Sequence, residues 1–177
     1  AKHIGLEDDP KDTGVSENNF WKRVITEIDN ADNIFNYGEV LQGDNERIAD
    51  YIDTKGGPCK TYISPFAVFL NDDDKNYVEP DVSVICNPNK LNDRGCVGAP
   101  DWIIEIVSPG SRKTDYFTKL FKYRTAGVRE YWIVDPIKNL ILVYNFDISD
   151  SEQYTFSDTI KASIYDDLYI DFSKMNF

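Results

Sequence analysis

Histidine is almost missing from this 177-residue chain, which has one, His3, close to its start. With its one imidazole on a terminal stretch that reads as loose, the fold is not expected to assemble a Ser-His-Asp triad, a histidine-rich zinc site or a histidine-metal nuclease finger. Cysteine is scarce as well. Cys59, Cys86 and Cys96 are odd in number, far apart and without a CxxC pair, which argues against a disulfide framework or a structural zinc site and leads us to expect reduced thiols. No apolar run is long enough to span a bilayer, and the first residues lack the apolar core of a signal peptide, so the expectation is a soluble, cytoplasmic protein with no membrane partner. GxxxxGK[ST] and GxGxxG are both absent, which leaves nucleotide binding without a motif. The chemistry open to this chain therefore runs through carboxylates, lysines, tyrosines or a hard oxygen-bound cation such as magnesium.

What is present is the composition of a folded domain, 41% hydrophobic and 14% aromatic, and one domain over residues 1–177 is expected. The formal charge of -12 opposes a phosphate backbone, yet it is unevenly spread. Between Arg112 and Glu130 stand six basic residues against two acidic ones, either a solvated helix face or a phosphate-facing patch.

Residues 1–19 are polar and charged with few apolar anchors, and read as a loose arm. Apolar positions 20, 21, 24, 25 and 28 predict a short helix, 37–43 a strand between glycines, and 44–52 a second helix capped by Asp44 or Asn45. From there strands dominate. Residues 60–70 and 77–86 read as a hairpin around an acidic turn, 102–107 as a β-branched strand, 129–134 and 140–146 as two more. Residues 114–126 form the clearest helix, with Tyr116, Phe117, Leu120, Phe121 and Tyr123 on one apolar arc and Gly127 as its stop. The tail, 151–177, suggests edge strands or a closing flap.

Two carboxylates stand out. Glu79-Pro80-Asp81 opens one apolar run, and Glu105 sits inside Trp102-Ile103-Ile104-Glu105-Ile106-Val107. A lone charge in a buried strand is costly, so the pair points to a metal site, although Glu105 would also suit a core salt bridge and Asp81 alone would suit a turn. On neighbouring strands roughly 5 Å apart, the two could share a divalent cation. Lys119 borders the apolar arc beside Tyr116 and Tyr123, from where its ammonium could reach over the sheet toward Glu105, whereas Lys113 and Lys122 point further away.

These residues resemble those of a known group. Pro80-Asp81 followed by Glu105 in an apolar strand is similar to the PD-(D/E)XK nuclease superfamily. More narrowly, three stretches resemble the Uma-two family of candidate bacterial endonucleases: Asp93-Arg94-Gly95-Cys96-Val97-Gly98-Ala99-Pro100-Asp101-Trp102-Ile103-Ile104-Glu105-Ile106-Val107-Ser108-Pro109, Asp115-Tyr116-Phe117-Thr118-Lys119-Leu120, and Gly127-Val128-Arg129-Glu130-Tyr131-Trp132-Ile133-Val134-Asp135-Pro136. The resemblance covers about residues 59–146. It implies an α/β fold, a restriction-endonuclease-like mixed sheet flanked by helices, and a Mg²⁺- or Mn²⁺-dependent endonuclease acting on DNA as a homodimer. Asp81 and Glu105 would then be metal ligands, with the Ile106 carbonyl as a third, Lys119 the phosphate-facing cation, and Asp115 and Tyr123 part of the pocket. Val107 stands where the superfamily places its lysine, so that role passes to Lys119. Residues 1–57 match poorly, and there Glu46 is a candidate for an additional acidic ligand. The competing expectations are a catalytically silent nuclease fold that binds nucleic acid or a protein, and a sugar- or nucleotide-processing enzyme with a carboxylate pair.

Overall fold

The computed structural model describes residues 55–71, 76–107, 111 and 113–174, together with Ile52. The expected arm, the helix over 20–28, the strand over 37–43, Glu46 and all of the helix over 44–52 except Ile52 lie outside the described residues.

The main sheet has six strands: β1 (Lys60–Ile63), β3 (Val82–Ile85), β6 (Trp102–Ile106), β7 (Glu130–Asp135), β8 (Leu140–Asn145) and β9 (Asp150–Tyr154), in the order β1-β3-β6-β7-β8-β9. Only β6 and β7 run parallel; every other neighbouring pair is antiparallel. A parallel pair requires a crossover, and the helix α1 provides it, as the sequence predicts. Its first half, Thr114–Lys119, is π-helical and its second half, Leu120–Ala126, is α-helical, ending on Gly127 at φ 94°. Every residue of β3, β6 and β7 is buried, which explains why these strands read as near-continuous apolar runs, while β9 is an exposed polar edge.

Alternation along the strands divides the core between the two faces. On one face Val82, Ile104, Trp102 and Trp132 pack with the two rings edge to face at 4.9 Å. Covering this face are Ile52 and a C-terminal hairpin of β10 (Thr159–Lys161) and β11 (Tyr169–Asp171), which contribute Ile160 and Ile170. On the other face Ile103, Tyr131 and Ile133 meet Tyr123 of α1. Among the described residues, then, α1 flanks one face, and the β-hairpin with the helical residue Ile52 covers the other. No helix among them is long and apolar enough to cross a membrane.

The expected single strand over 60–70 is broken. The chain leaves the main sheet after Ile63, and β2 (Val68–Phe69) joins a smaller sheet with β4 (Leu91–Asn92) and β5 (Gly95–Val97). Pro65 cannot donate to a ladder, which gives the break a local cause. The expectation of three reduced thiols is also overturned: Cys59 and Cys86 form a disulfide, and only Cys96, which is buried, is free. Antiparallel pairing of Lys60 with Ile85 makes Cys59 and Cys86 the next pair along, a proximity that depends on strand register rather than on spacing in the sequence.

Candidate active site

The site forms where β3, β6 and α1 meet. Val82 pairs with Ile104, so Asp81, one residue before β3, falls opposite Glu105 on the adjacent strand. At this point the ladder gives way to a side chain, because the Ile106 N–H donates to Asp81 Oδ2 at 2.7 Å. Glu105 shares its side of β6 with Ile103 and Val107 and so faces α1. It is 3% exposed.

Helix α1 supplies the partners for that carboxylate. Tyr123 donates its hydroxyl to Glu105 Oε1 at 2.6 Å, and Lys119 Nζ lies 3.0 Å from Oε2. Lys119 also lies 2.8 Å from Oδ1 of buried Asp115, one turn earlier, and Ser111 donates its hydroxyl to the other Asp115 oxygen. The inward row of the helix is thus Asp115, Lys119 and Tyr123. This corrects the expected apolar arc: Phe117 and Phe121 point outward and are each 72% exposed. Ion pairing to Glu105 brings the charged row toward the sheet, which an apolar-face rule could not foresee.

Burial dominates the titration of these groups. It pushes the Glu105 carboxyl above its ordinary range, against the pull of Lys119 and the Tyr123 hydrogen bond. Asp81 is held well above the ordinary carboxylate range by burial and then by the charge of Glu105. Burial alone would lower Lys119, but the carboxylates of Glu105 and Asp115 outweigh it and raise the ammonium above the usual lysine value. The phenols of Tyr123 and Tyr131 are pushed upward by burial and the nearby Glu105 charge, so both act as hydrogen-bond donors.

The structure therefore brings Asp81, Glu105, Ile106, Asp115, Lys119 and Tyr123 together. Sequence reasoning missed Ser111 and Tyr131, whose hydroxyl donates to the Asp115 carbonyl at 3.1 Å. Tyr131 lies in a strand that reads as core, and only the fold discloses its polar end. Glu130, from the same motif, lies on the opposite face. Its carboxylate accepts from Trp132 Nε1 at 2.6 Å and from the Ser163 and Ile164 N–H groups at 3.0 Å, fastening the C-terminal hairpin to β7.

A mixed sheet carrying carboxylates on adjacent strands, with a lysine brought in by the crossover helix, has the architecture of a nuclease-like fold. It is similar to the crystal structure of a putative nuclease of the DUF820 group from Anabaena variabilis, with a TM-score of 0.55 at 18% identity over 71% of this chain and 72% of that one. The chain belongs to the Uma2 family, described as "Putative restriction endonuclease", whose model matches residues 42–168. That match extends beyond residues 59–146, the stretch bearing the recognisable motifs, on both sides. No curated protein matches the chain.

Proposed function

We propose that this protein is a divalent-cation-dependent endonuclease that hydrolyses DNA phosphodiester bonds. The observation that carries the reading is the meeting of Asp81, Glu105 and Lys119 in one place, with the lysine 3.0 Å from Glu105 and Asp81 bonded to the next residue, Ile106.

The donor set suits Mg²⁺ or Mn²⁺. Asp81, Glu105 and Asp115 set three carboxylates against the one ammonium of Lys119, a surplus of negative charge that a hard cation would offset. Among the described residues no group of three or more His, Cys, Asp or Glu side chains is arranged to hold a metal. Asp81 and Glu105, with the Ile106 carbonyl, would therefore be the protein ligands, and water and substrate oxygens would complete the shell, as Mg²⁺ readily permits. Glu46 remains a candidate addition from outside the described residues. When bound, the cation would lower the pKa of a coordinated water and offset charge on the scissile phosphate.

Lys119 contributes fixed positive charge. Held between two carboxylates and raised in pKa, it keeps its proton at neutral pH and serves to stabilise negative charge on phosphate oxygens rather than to abstract a proton. Asp115 and Ser111 hold that ammonium in place, and Tyr123 fixes the Glu105 carboxylate. A homodimer, part of the same proposal, would present two such sites to the two strands of a duplex.

The test is cleavage of plasmid DNA with Mg²⁺ or Mn²⁺ by wild type and Glu105→Gln, an isosteric change. A loss of at least about 100-fold is expected, in keeping with removal of one precisely placed charge-stabilising group; an undiminished rate in the variant would overturn the assignment. That no three such side chains among the described residues are arranged to hold a metal favours one rival, a silent nuclease-fold scaffold. Calorimetry separates the two, since a scaffold would show no Mg²⁺ or Mn²⁺ uptake sensitive to Asp81→Ala.

A further inference from the structure

The outer side of α1 carries aromatic surface that the site does not use. Phe117 and Phe121, one turn apart, are each 72% exposed, and Tyr77 is 56% exposed. Phe121, Lys122 and Thr125 line a cavity of about 240 Å³ together with Tyr77 and Asn71. The helix's exposed charges, Lys113, Lys122 and Arg124, are all positive, because its only carboxylate, Asp115, is buried against Lys119. A cationic face with open aromatic rings is unexpected in a chain of formal charge -12.

We propose that this groove seats a nucleobase from an unpaired stretch of nucleic acid, stacked against Phe121 and Tyr77, with Lys122 meeting an adjoining phosphate. The proposal rests on the nuclease reading and deepens it, giving the substrate an unpaired base beside the bond that is cut. Every base has a π-face for an aromatic wall, the Asn71 amide can both donate to and accept from a base edge, and the lysine matches the phosphate charge. The groove lies within about one helix width, roughly 10–12 Å, of Lys119. A strand passing over α1 could thus offer a base to the groove and a phosphodiester to the site.

Fluorescence anisotropy with short labelled oligodeoxynucleotides, in chelator so that nothing is cut, tests this. Single strands should bind more tightly than duplex. Phe121→Ala and Tyr77→Ala, two exposed positions on different segments, should each weaken single-strand binding about tenfold, the usual scale for losing one base stack. Lys122→Glu should weaken it further and flatten the salt dependence by about 0.7 in log Kd per decade, the value of one single-strand phosphate. Unchanged affinity in both aromatic variants would overturn the groove. So would a shift from dimer to monomer in sedimentation with oligonucleotide binding intact, which would give the face to a second copy of the chain. Cleavage measured alongside keeps the two readings apart. A wild type that cuts but binds independently of Phe121 and Tyr77 loses only the groove; one that binds through them but never cuts loses only the nuclease reading.

Discussion

Asp81 and Lys119 carry opposite consequences of being buried in the same cluster. For Lys119 the neighbouring carboxylates outweigh desolvation; for Asp81 desolvation and the Glu105 charge act together, and its folded pKa lies well above its ordinary value of 3.8. A carboxylate raised in this way weakens the fold when ionised. The penalty is full above the folded pKa and vanishes below the ordinary value. Asp81→Asn keeps an oxygen able to accept from the Ile106 N–H while removing the charge. In chelator at pH 8 it should raise the thermal midpoint by about 2–4 °C, the shift expected from about 1 kcal/mol in a chain of this size. The gain should shrink as the pH is lowered toward 4, while DNA cleavage is lost at every pH. A midpoint that falls, or a gain independent of pH, would show that Asp81 is not strained by its charge.

At the scale of elements, the strands and the helix that bring the candidate residues together were legible. Glu105 stood out because it interrupts an apolar run, Asp81 because it opens another, and Lys119 because it borders the apolar arc of α1, and a buried charge demands a partner. The strands β6, β7 and β8 and the Gly127 stop were readable from β-branched runs and turn residues. The orientation of Phe117 and Phe121 was not, because hydrophobic periodicity assigns aromatics to the inside and has no means of weighing an ion pair with a strand more than ten residues away. The break after Ile63 and the small sheet were equally hidden, since two-residue strands leave almost no periodic signal. That small sheet depends on close backbone approach: a Cβ at Gly95, which has φ 135°, would lie 2.1 Å from the Ala67 carbonyl oxygen. Gly127, by contrast, has open space around a Cβ at its positive φ. Gly127→Ala should cost about 1–2 kcal/mol from backbone strain alone, and Gly95→Ala clearly more, as urea midpoints would show. Equal costs would mean that β5 yields without losing its pairing.

Across the whole molecule, one covalent link was the least foreseeable feature, because Cys59 and Cys86 are 27 residues apart in sequence and meet only through the β1–β3 register. Titration of the denatured, unreduced protein should count one thiol rather than three. In the native state that thiol, Cys96, should react slowly, being buried and pushed up to about 11. Reduction should lower the unfolding free energy by about 3.6 kcal/mol, the loop-entropy value for a closure of this length. Three thiols without reductant would remove the link.

The disulfide closes one end of the β1–β3 pair, and Asp81 stands at the other, where its carboxylate takes the Ile106 N–H in place of a further backbone rung. That single proton therefore reports two things at once. Its protection from solvent exchange marks the last rung between β3 and β6, and its resonance frequency follows the charge on Asp81, making the Ile106 amide a built-in spectroscopic gauge of the site.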